Sequence, residues 1–475
     1  MAVTGVRSSE TALLARVPGG DNGRAWWPTA RCALVSPRAE PPLNLLLVAA
    51  KLSLAGFRCK LVDYKAEQLE WGAIQSDLVK HHPSLVIFDT SLVGLNKDMA
   101  AVRRAKALLP DCAAVLCGRD LLFEEARIHW ECPELDGIIS DPYRFASPGH
   151  LTDSSRALML LQSRRKGQSL IIRSFARGKA LDINNMLRPH WEILKRSCYV
   201  SPFSGVARLP VLASVGCKHN CLHCIVPHLS GGITHWRRPS VIVKEMRHGL
   251  LALGERKVPN EIAFELVADN LAPPELWWEE LVAEMSRAGL KTASFSFRAC
   301  ECSISKQLAQ KLKSAGCDMA TIVLPVAMEK AASTLSFGPR LDEQTCIEMV
   351  RTLRQAGIAT CLCFVAGLFA RDQESLRSAI KLAARSNASM VELKDALATA
   401  GSRLDDVAKR KWLSESEIQR WESASSSHAQ EASELAQKAL RRFWMRPAPL
   451  IEATRRFGPS ALAKVARMLL RSGGV

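Results

Sequence analysis

The sequence contains no apolar run that is long enough to cross a membrane, which takes about 18 consecutive apolar residues. The longest candidate, 43–57, is interrupted by Asn44, Lys51 and Ser53. The N-terminus also lacks the layout of a signal peptide, in which a basic stretch precedes an apolar one. The sequence therefore predicts a cytoplasmic protein without a transmembrane segment.

Acidic residues are scarce relative to basic ones, because 47 Asp and Glu stand against 64 Lys and Arg, a formal net charge of +17. This excess fits a solvated basic surface, and it also favours acidic partners such as phosphates or an anionic membrane. The basic end of the chain, 438–471, carries no motif that reads nucleic acid. We therefore expect no nucleic-acid partner, whereas peripheral contact with a membrane stays open.

The cysteines do not form the compact framework of a small secreted protein, because 15 of them are spread over 475 residues. Most are expected to be small buried hydrophobes in a reducing compartment. Only Cys217, Cys221 and Cys224 have the spacing of metal ligands.

A chain of this length predicts more than one domain, and short apolar strands alternate with helices in two series. The first series has strands at 31–35, 59–62, 84–88, 113–116 and 137–140. The second has strands at 211–215, 261–266, 292–297, 319–324, 359–365 and 389–393. Such alternation predicts parallel sheets. The expected organisation is a flexible leader (1–29), an α/β domain (30–145), a connector (146–205), a second α/β core (206–410) and a helical C-terminal region (411–475).

The cysteine cluster forms a C-x3-C-x2-C loop directly after the first strand of the second series. Thiolates are the usual ligands of iron–sulfur clusters. Three of them leave one iron open for a small molecule, whereas a structural zinc site uses four protein ligands. A loop at the carboxyl end of a barrel strand is also the usual place of an active site.

Two alternatives to an open cluster remain. A zinc ion bound by the three thiolates and one of His219, His223 or His228 is one, and a structural cluster completed by a remote cysteine is the other. The C-x-C pairs Cys300/Cys302 and Cys361/Cys363 either line the barrel or pack within it, and packing is the prediction.

The loop, the strand before it, Gly216 and Asn220 resemble the radical S-adenosylmethionine (SAM) superfamily, although His223 stands where an aromatic residue is usual. The resemblance implies a [4Fe–4S] cluster whose open iron binds the amino and carboxylate groups of SAM. The reduced cluster of that superfamily splits SAM to a 5′-deoxyadenosyl radical, which abstracts a substrate hydrogen.

Further segments resemble the SAM-binding motifs of the superfamily in their order along the chain. They include the basic turn 237–240, the strand ends 264–270 and 296–298, and the glycine turn 365–368; the segment 324–329 departs from the usual motif after the fourth strand. The resemblance implies SAM contacts at Glu265, Asp269, Asn270, Ser296, Arg298 and Gly367. It assigns no catalytic acid or base.

The first α/β domain, placed ahead of such a core, resembles the cobalamin-binding domain of the cobalamin-dependent subfamily. The resemblance implies cobalamin contacts at Ser91, Leu92 and Gly118, and 443–447 resembles a tail segment of that subfamily. The sequence has no D-x-H-x-x-G motif, so it offers no lower axial histidine. Arg119 after Gly118 either obstructs the nucleotide tail or binds its phosphate, and a retained fold without cobalamin is the alternative.

The expected fold is thus an N-terminal Rossmann-like sheet followed by a partial (β/α)6 TIM-type barrel and a helical C-terminal segment. The expected enzyme methylates an unactivated carbon of a metabolite, lipid or peptide, with an external electron donor such as flavodoxin or ferredoxin. A radical cyclase or rearrangement enzyme of the same family, or a degenerate non-catalytic scaffold, are the alternatives.

Overall fold

The structure is a computed structural model. It describes residues 11–16, 41–64, 66–67, 69–91, 94–147, 170–172, 181–199, 206–221, 224–252, 262–290, 293–300, 304–325, 342–366 and 373–395, with residue 402 and seven positions between 443 and 455. The predicted strand at 31–35, the candidate residues Leu92 and Gly367, and His223 lie outside the described residues, as does most of the region 411–475.

The chain divides into two compact units. The first unit comprises Met1–Gly23 and Ala39–Tyr199, and the second unit comprises Arg24–Arg38 and Val200–Val475. Among the described residues, every helix is too short or too polar to cross a bilayer.

The first unit contains a parallel six-stranded sheet with the strand order β2-β1-β3-β4-β5-β6. Its strands are β1 Thr11–Arg16, β2 Arg58–Asp63, β3 Leu85–Asp89, β4 Ala113–Cys117, β5 Gly137–Ile139 and β6 Leu170–Ile172. Its helices are α1 Leu43–Leu54, α2 Trp71–His81, α3 Leu95–Leu108, α4 Glu125–Glu131 and α5 Pro142–Phe145. Strands β4 and β5 are buried throughout because a parallel sheet is covered on both faces. The predicted Rossmann-like unit is confirmed.

The first strand of this sheet differs from the prediction. Thr11–Arg16 pairs with β2 and β3, so the prediction of a leader is wrong for these 6 residues. The segment is short and apolar at its centre, and Pro18, Gly19 and Gly20 come after it as strand-ending residues. The prediction of a leader rested on the lack of clear periodicity in residues 1–29, which a single short strand does not produce.

Part of the predicted connector packs within the first unit. Strand β6 lies beside β5, and the amide N of His190 donates to the carbonyl O of Leu46 at 3.1 Å. The hydroxyl of Tyr199 donates to Asp63 Oδ2 at 2.7 Å, and Tyr199 is buried. Residues 170–172 and 181–199 therefore belong to the first unit and do not form a separate connector.

The second unit contains a seven-stranded sheet with the order β13-β12-β11-β10-β9-β7-β8, in which only β8 is antiparallel to its neighbour. Its strands are β7 Ala207–Val215, β8 His235–Trp236, β9 Ile262–Ala268, β10 Ser294–Ala299, β11 Cys317–Pro325, β12 Ala359–Ala366 and β13 Met390–Asp395. Its helices are α6 Val226–Ser230, α7 Pro239–Ala252, α8 Glu275–Arg287, α9 Lys306–Ser314, α10 Glu343–Gln355 and α11 Gln373–Arg385. All six predicted strands are present, and the partial (β/α)6 barrel is confirmed.

The two faces of the second sheet differ in what they contact. Phe297 of β10 packs against Trp278 of α8 with 4.9 Å between ring centroids, so this face is covered by helices. Successive strand residues point to opposite faces, so Ser296 and Arg298 lie on the other one. We call this other side the inner face. The strand register places Glu265 beside Ser296 on it.

Candidate functional site

The cysteine loop begins where the completely buried strand β7 ends. Gly216 directly precedes Cys217 and has a φ of +89°, a conformation that favours glycine. A Cβ atom at this position would lie 2.0 Å from the carbonyl O of Ile233. Only glycine fits this turn, and the turn brings Cys217 to the carboxyl edge of the sheet.

The three loop thiols lie close enough for their charges to interact. Burial raises the pKa of Cys221 to about 12, and the charges of Cys224 and Cys217 contribute to this rise. Burial also raises the pKa of Cys217, which is 7% exposed. The amide N of Cys224 donates to the carbonyl O of Cys221 at 3.1 Å. Such mutual repulsion is what a cluster of cationic irons would relieve, because it binds each sulfur as thiolate.

The part of the chain that the structure describes holds no group of three or more His, Cys, Asp or Glu side chains arranged around a single metal ion. In a [4Fe–4S] cluster each cysteine binds a different iron, so its thiolates are spaced more widely than ligands of one ion. The sulfur-only donor set at the end of β7 fits that group.

Two residues after β9 hold the cysteine loop in place. Asp269 Oδ2 accepts a hydrogen bond from the amide N of Gly216 at 2.7 Å. Asn270 is 4% exposed, its side chain hydrogen-bonds Cys217, and its Oδ1 accepts from the amide N of Cys300 at 3.0 Å. The predicted SAM contacts Asp269 and Asn270 thus lie beside the loop thiols, where they also position the loop.

The other predicted SAM contacts line the inner face of neighbouring strands. Ser296 is 1% exposed, and its hydroxyl has no hydrogen-bond partner among the described residues. Arg298 Nη1 donates to Glu392 Oε2 at 3.1 Å. Glu265 is half-buried beside Ser296. A buried hydroxyl without a partner is costly in an apolar interior, and a bound polar molecule would satisfy it.

Glu392 of β13 is a site residue that reasoning from the sequence missed. Its carboxylate is buried and holds the Arg298 guanidinium, and the register places it beside Cys363 of β12. A single glutamate within an apolar strand gives no signal of its own, and only the strand pairing reveals its partner.

Cys300 joins the loop thiols, although the sequence predicted that both C-x-C pairs only pack. The pKa of Cys300 is raised to about 12, mainly by burial. The negative charges of other thiolates raise it further, those of Cys217, Cys221, Cys363 and Cys224. Cys363 is fully buried and Cys300 partly buried. Packing is the right description of Cys361 and Cys363, but Cys300 lies at the cluster site. Cys302 lies outside the described residues.

The basic turn 237–240 has a structural role. Arg237 Nη2 lies 2.6 Å from Glu245 Oε2, and both side chains are 2% exposed. Arg237 Nη1 also donates to the carbonyl O of Leu212 at 3.2 Å. This buried ion pair fixes α7 against β7, the strand that leads into the cysteine loop.

In the first unit, Gly118 lies where the backbones after β3 and β4 come close. A Cβ atom at Gly118 would lie 2.3 Å from the carbonyl O of Thr90. The amide N of Gly118 donates to Ile139 O at 3.0 Å, and that of Thr90 donates to Cys117 O at 2.9 Å. The carbonyl O of Ser91 accepts from the amide N of Gly94 at 2.9 Å. Ser91 and Gly118 therefore share the carboxyl edge of this sheet.

Oxygen atoms dominate this edge of the first unit. Asp63 ends β2, Asp89 ends β3, and Asp141 lies two residues after β5. Asp141 Oδ1 accepts from the amide N of Tyr143 at 3.1 Å, and burial raises the pKa of this carboxyl. Arg119 lies over the Tyr143 ring at 4.7 Å from its centroid. Carboxylates and hydroxyls are acceptors that suit the amide-rich rim of a corrin.

The fold defines a class of architecture: a unit with a parallel α/β sheet, followed by a unit with a partial α/β barrel that carries the thiol loop at the end of its first strand. Two solved structures share this fold. The radical SAM methyltransferase TsrM from Kitasatospora setae, with tryptophan substrate and a SAM analogue bound, is 15% identical, with 84% of this chain and 76% of that chain covered and a TM-score of 0.56. The cobalamin-dependent SAM radical enzyme OxsB, with aqua-cobalamin and SAM bound, is 15% identical, with coverages of 86% and 56% and a TM-score of 0.55.

Sequence comparison gives a shorter match. Bacteriochlorophyllide d C-12(1)-methyltransferase from Chlorobaculum tepidum is 24% identical over 141 residues, which are 30% of this chain. The match spans only 29% of that protein's length. No family model matches the chain. The predicted resemblance to cobalamin-dependent radical SAM proteins is therefore confirmed as a likeness of fold.

Proposed function

We propose that this protein is a radical SAM enzyme that methylates an unactivated carbon with the help of cobalamin. Cys217, Cys221 and Cys224 would hold a [4Fe–4S] cluster, which would leave one iron without a loop cysteine and open to SAM. The substrate is a metabolite, lipid or peptide, and an external donor such as flavodoxin or ferredoxin supplies electrons.

One observation carries this proposal. Three thiols whose charges interact lie at the carboxyl end of β7, inside a fold shared with radical SAM proteins. Three neighbouring thiols repel one another when they ionise, and a purely structural role does not need them. A bound cluster gives the grouping a purpose.

The neighbouring residues of the second unit hold the loop and line the space beside it. Asp269 fixes the turn at Gly216, and Asn270 connects Cys217 with Cys300. Carboxylate and amide oxygens accept hydrogen bonds from an ammonium group, so these two residues suit the amino group of SAM. A cluster held here would, when reduced, supply the electron that cleaves SAM.

The inner face supplies the remaining contacts to SAM. The buried hydroxyl of Ser296 offers a donor and an acceptor, and Glu265 beside it offers a carboxylate. Arg298, held by Glu392, presents a positive charge for the SAM carboxylate. The Arg298–Glu392 pair thereby keeps the guanidinium oriented before SAM arrives.

We assign cobalamin to the carboxyl edge of the first unit, at Ser91, Leu92 and Gly118. The strand order with β1 between β2 and β3 belongs to the doubly wound sheets whose ligands bind at this edge. The close approach at Gly118 brings the backbones after β3 and β4 together at this edge, and bound cobalamin would supply the methyl carrier. Arg119 is engaged with Tyr143, so we expect no obstruction by its side chain.

The test is anaerobic reconstitution of the full chain with iron, sulfide, cobalamin, reductant and SAM. We expect 5′-deoxyadenosine from SAM cleavage and S-adenosylhomocysteine from remethylation of cobalt. Cys217→Ala should abolish the first product, whereas Cys346→Ala, a substitution within α10, should leave it unchanged. A cluster-loaded wild-type protein that forms neither product would overturn the catalytic proposal in favour of a scaffold role.

A further inference from the structure

Cys300 is the thiol outside the loop whose position is tied to the loop itself. It comes directly after the last residue of β10, and its amide N donates to Asn270 Oδ1 at 3.0 Å. The Asn270 side chain also hydrogen-bonds Cys217. One buried amide therefore fixes Cys217 and Cys300 at the carboxyl ends of β7 and β10, which flank β9 in the sheet.

The electrostatics agree with this geometry. The charges of all three loop thiolates act on Cys300, and the charge of Cys363 acts on it as well. Cys300 and the loop thus gather four thiols at one edge of the barrel, which is the number that a [4Fe–4S] cluster binds when every iron has a protein ligand. Cys300 is partly exposed, whereas Cys363 is fully buried, so Cys300 is the one with room to reach a cluster.

The inner face retains an unsatisfied group beside this edge. Ser296, on the strand that leads to Cys300, has a hydroxyl that is buried and without a partner among the described residues. Its strand neighbour Glu265 is polar as well. The buried Ser296 hydroxyl, without a partner in the described part of the chain, indicates a place for a polar ligand beside this edge.

From these contacts we propose that the Cys300 thiolate binds the fourth iron of the cluster until SAM displaces it. This inference rests on the proposed function. On ligation the thiol proton leaves to solvent, and the Cys300 sulfur forms a bond to iron. When SAM enters, that bond breaks, the SAM ammonium group loses one proton, and its amino nitrogen and carboxylate bind the iron. The Cys300 sulfur takes up one proton in exchange. The exchange transfers no electrons.

A cysteine that binds the fourth iron in this way would protect the cluster while SAM is absent. An iron without a protein ligand is the corner that a cluster loses first on oxidation, and a thiolate protects it. Competition from the thiolate also weakens SAM binding. If the thiolate holds the iron in about nine molecules of ten, SAM binds about tenfold more weakly than it would to an open iron.

Mössbauer spectroscopy of the full chain reconstituted with 57Fe, before and after SAM addition, tests the proposal. In the wild type without SAM, we expect four irons with all-sulfur coordination, and SAM should shift a quarter of the signal. Cys300→Ala should show that shifted quarter already without SAM, and its Kd for SAM should fall about tenfold. Cys300→Ser, which keeps the side-chain volume, should behave alike.

Cys317→Ala is the matched control, because Cys317 is buried in the same sheet at the opposite end of a strand. Its spectrum should equal that of the wild type. If wild type and Cys300→Ala gave identical spectra without SAM, the proposal that Cys300 binds the fourth iron would be wrong. Loss of the cluster in Cys300→Ala but not in Cys317→Ala would make the thiolate a permanent ligand and overturn the exchange. Failure of the proposed function is distinguishable, since the wild type would then hold neither iron nor sulfide, or would hold a cluster but form neither 5′-deoxyadenosine nor S-adenosylhomocysteine.

Discussion

The two units place different chemistry at the same edge of a parallel sheet. At the carboxyl edge of the second unit lie the thiols of Cys217 and Cys300, whereas oxygen atoms of Asp63 and Asp89 mark that edge in the first unit. In doubly wound sheets and barrels alike, ligands bind at the carboxyl ends of the strands. The fold therefore determines which edge binds a ligand, and the side chains at that edge determine which ligand fits. In our proposal these ligands are an iron–sulfur cluster in the second unit and cobalamin, a molecule rich in amides, in the first.

The units also differ in how they bury positive charge. Arg237 in the second unit is paired with Glu245, which is equally buried. Lys51 in the first unit is 1% exposed, and its ammonium donates to the carbonyl O of Ser147 at 3.4 Å. Burial lowers the pKa of Lys51 to about 8. The second unit thus stabilises its buried cation with a carboxylate. The first unit buries a lysine without such a partner among the residues that the structure describes, and the charged form of that lysine is destabilised.

The largest effect is expected from cysteine substitutions, which should change iron content at the carboxyl edge of the second unit but not at that of the first. Cys221→Ala should remove the cluster, so that iron and sulfide fall to background in the anaerobically reconstituted protein. Cys117→Ala changes a buried thiol at the end of β4 in the first unit and should leave iron content unchanged. If the Cys117 variant lost its iron as well, the assignment of sulfur chemistry to the second unit alone would be broken.

The buried ion pair of the second unit gives the next largest effect. Arg237→Ala should lower the free energy of unfolding by about 3 to 5 kcal/mol, because it leaves the Glu245 carboxylate buried without its partner. The double substitution Arg237→Met with Glu245→Leu should recover most of that loss, since it removes both charges. Urea-induced unfolding measures both. If Arg237→Ala were as stable as the wild type, the structural role assigned to the Arg237–Glu245 ion pair would be wrong.

Glycine substitutions compare the two edges directly. Gly216→Ala should cost about 1 to 3 kcal/mol and lower iron content, because a left-handed turn and a carbonyl O at 2.0 Å both oppose a Cβ atom. Gly118→Ala should instead lower cobalamin retention, measured by absorption after desalting. Gly231→Ala, with φ +62° but open space around the position, is the control for backbone strain alone. Equal iron loss in the Gly216 and Gly231 variants would refute the role of the close approach.

The smallest effect concerns the buried lysine of the first unit. A pKa lowered to about 8 means that the unfolded chain binds more protons than the folded one between pH 8 and 10.5, so stability rises with pH in that window. Lys51→Met should therefore stabilise the protein at pH 7 by about 1 to 2 kcal/mol, and the gain should shrink as the pH approaches the ordinary lysine pKa of 10.5. Urea unfolding near neutral pH and again near that upper limit checks this, and a pH-independent gain would contradict it.

The second unit was the more predictable from sequence. Its six parallel strands are apolar runs, and glycines with positive φ, such as Gly289, Gly316 and Gly357, end the helices before three of them. The cysteine loop was found because its ligands are neighbours along the chain. Local sequence is enough for features that are local in structure.

The features that the sequence did not reveal depend on pairing between distant segments. The strand at Thr11–Arg16 lies between β2 and β3, and nothing near it in sequence indicates those neighbours. Cys300 and Glu392 become site residues only through the order of the strands, which brings Cys300 to Asn270 and Glu392 to Arg298. Spacing along the chain cannot predict such long-range contacts unless the strand order and register are known.

The central claim is that an iron held at the end of β7 binds SAM directly. Electron–nuclear double resonance of the reduced, cluster-loaded protein with SAM labelled by 15N in its amino group measures that bond. We expect a nitrogen coupling to the cluster that is present in the wild type and missing in Cys217→Ala. A loaded wild-type cluster that shows no coupling to labelled SAM at saturating concentration would contradict the account.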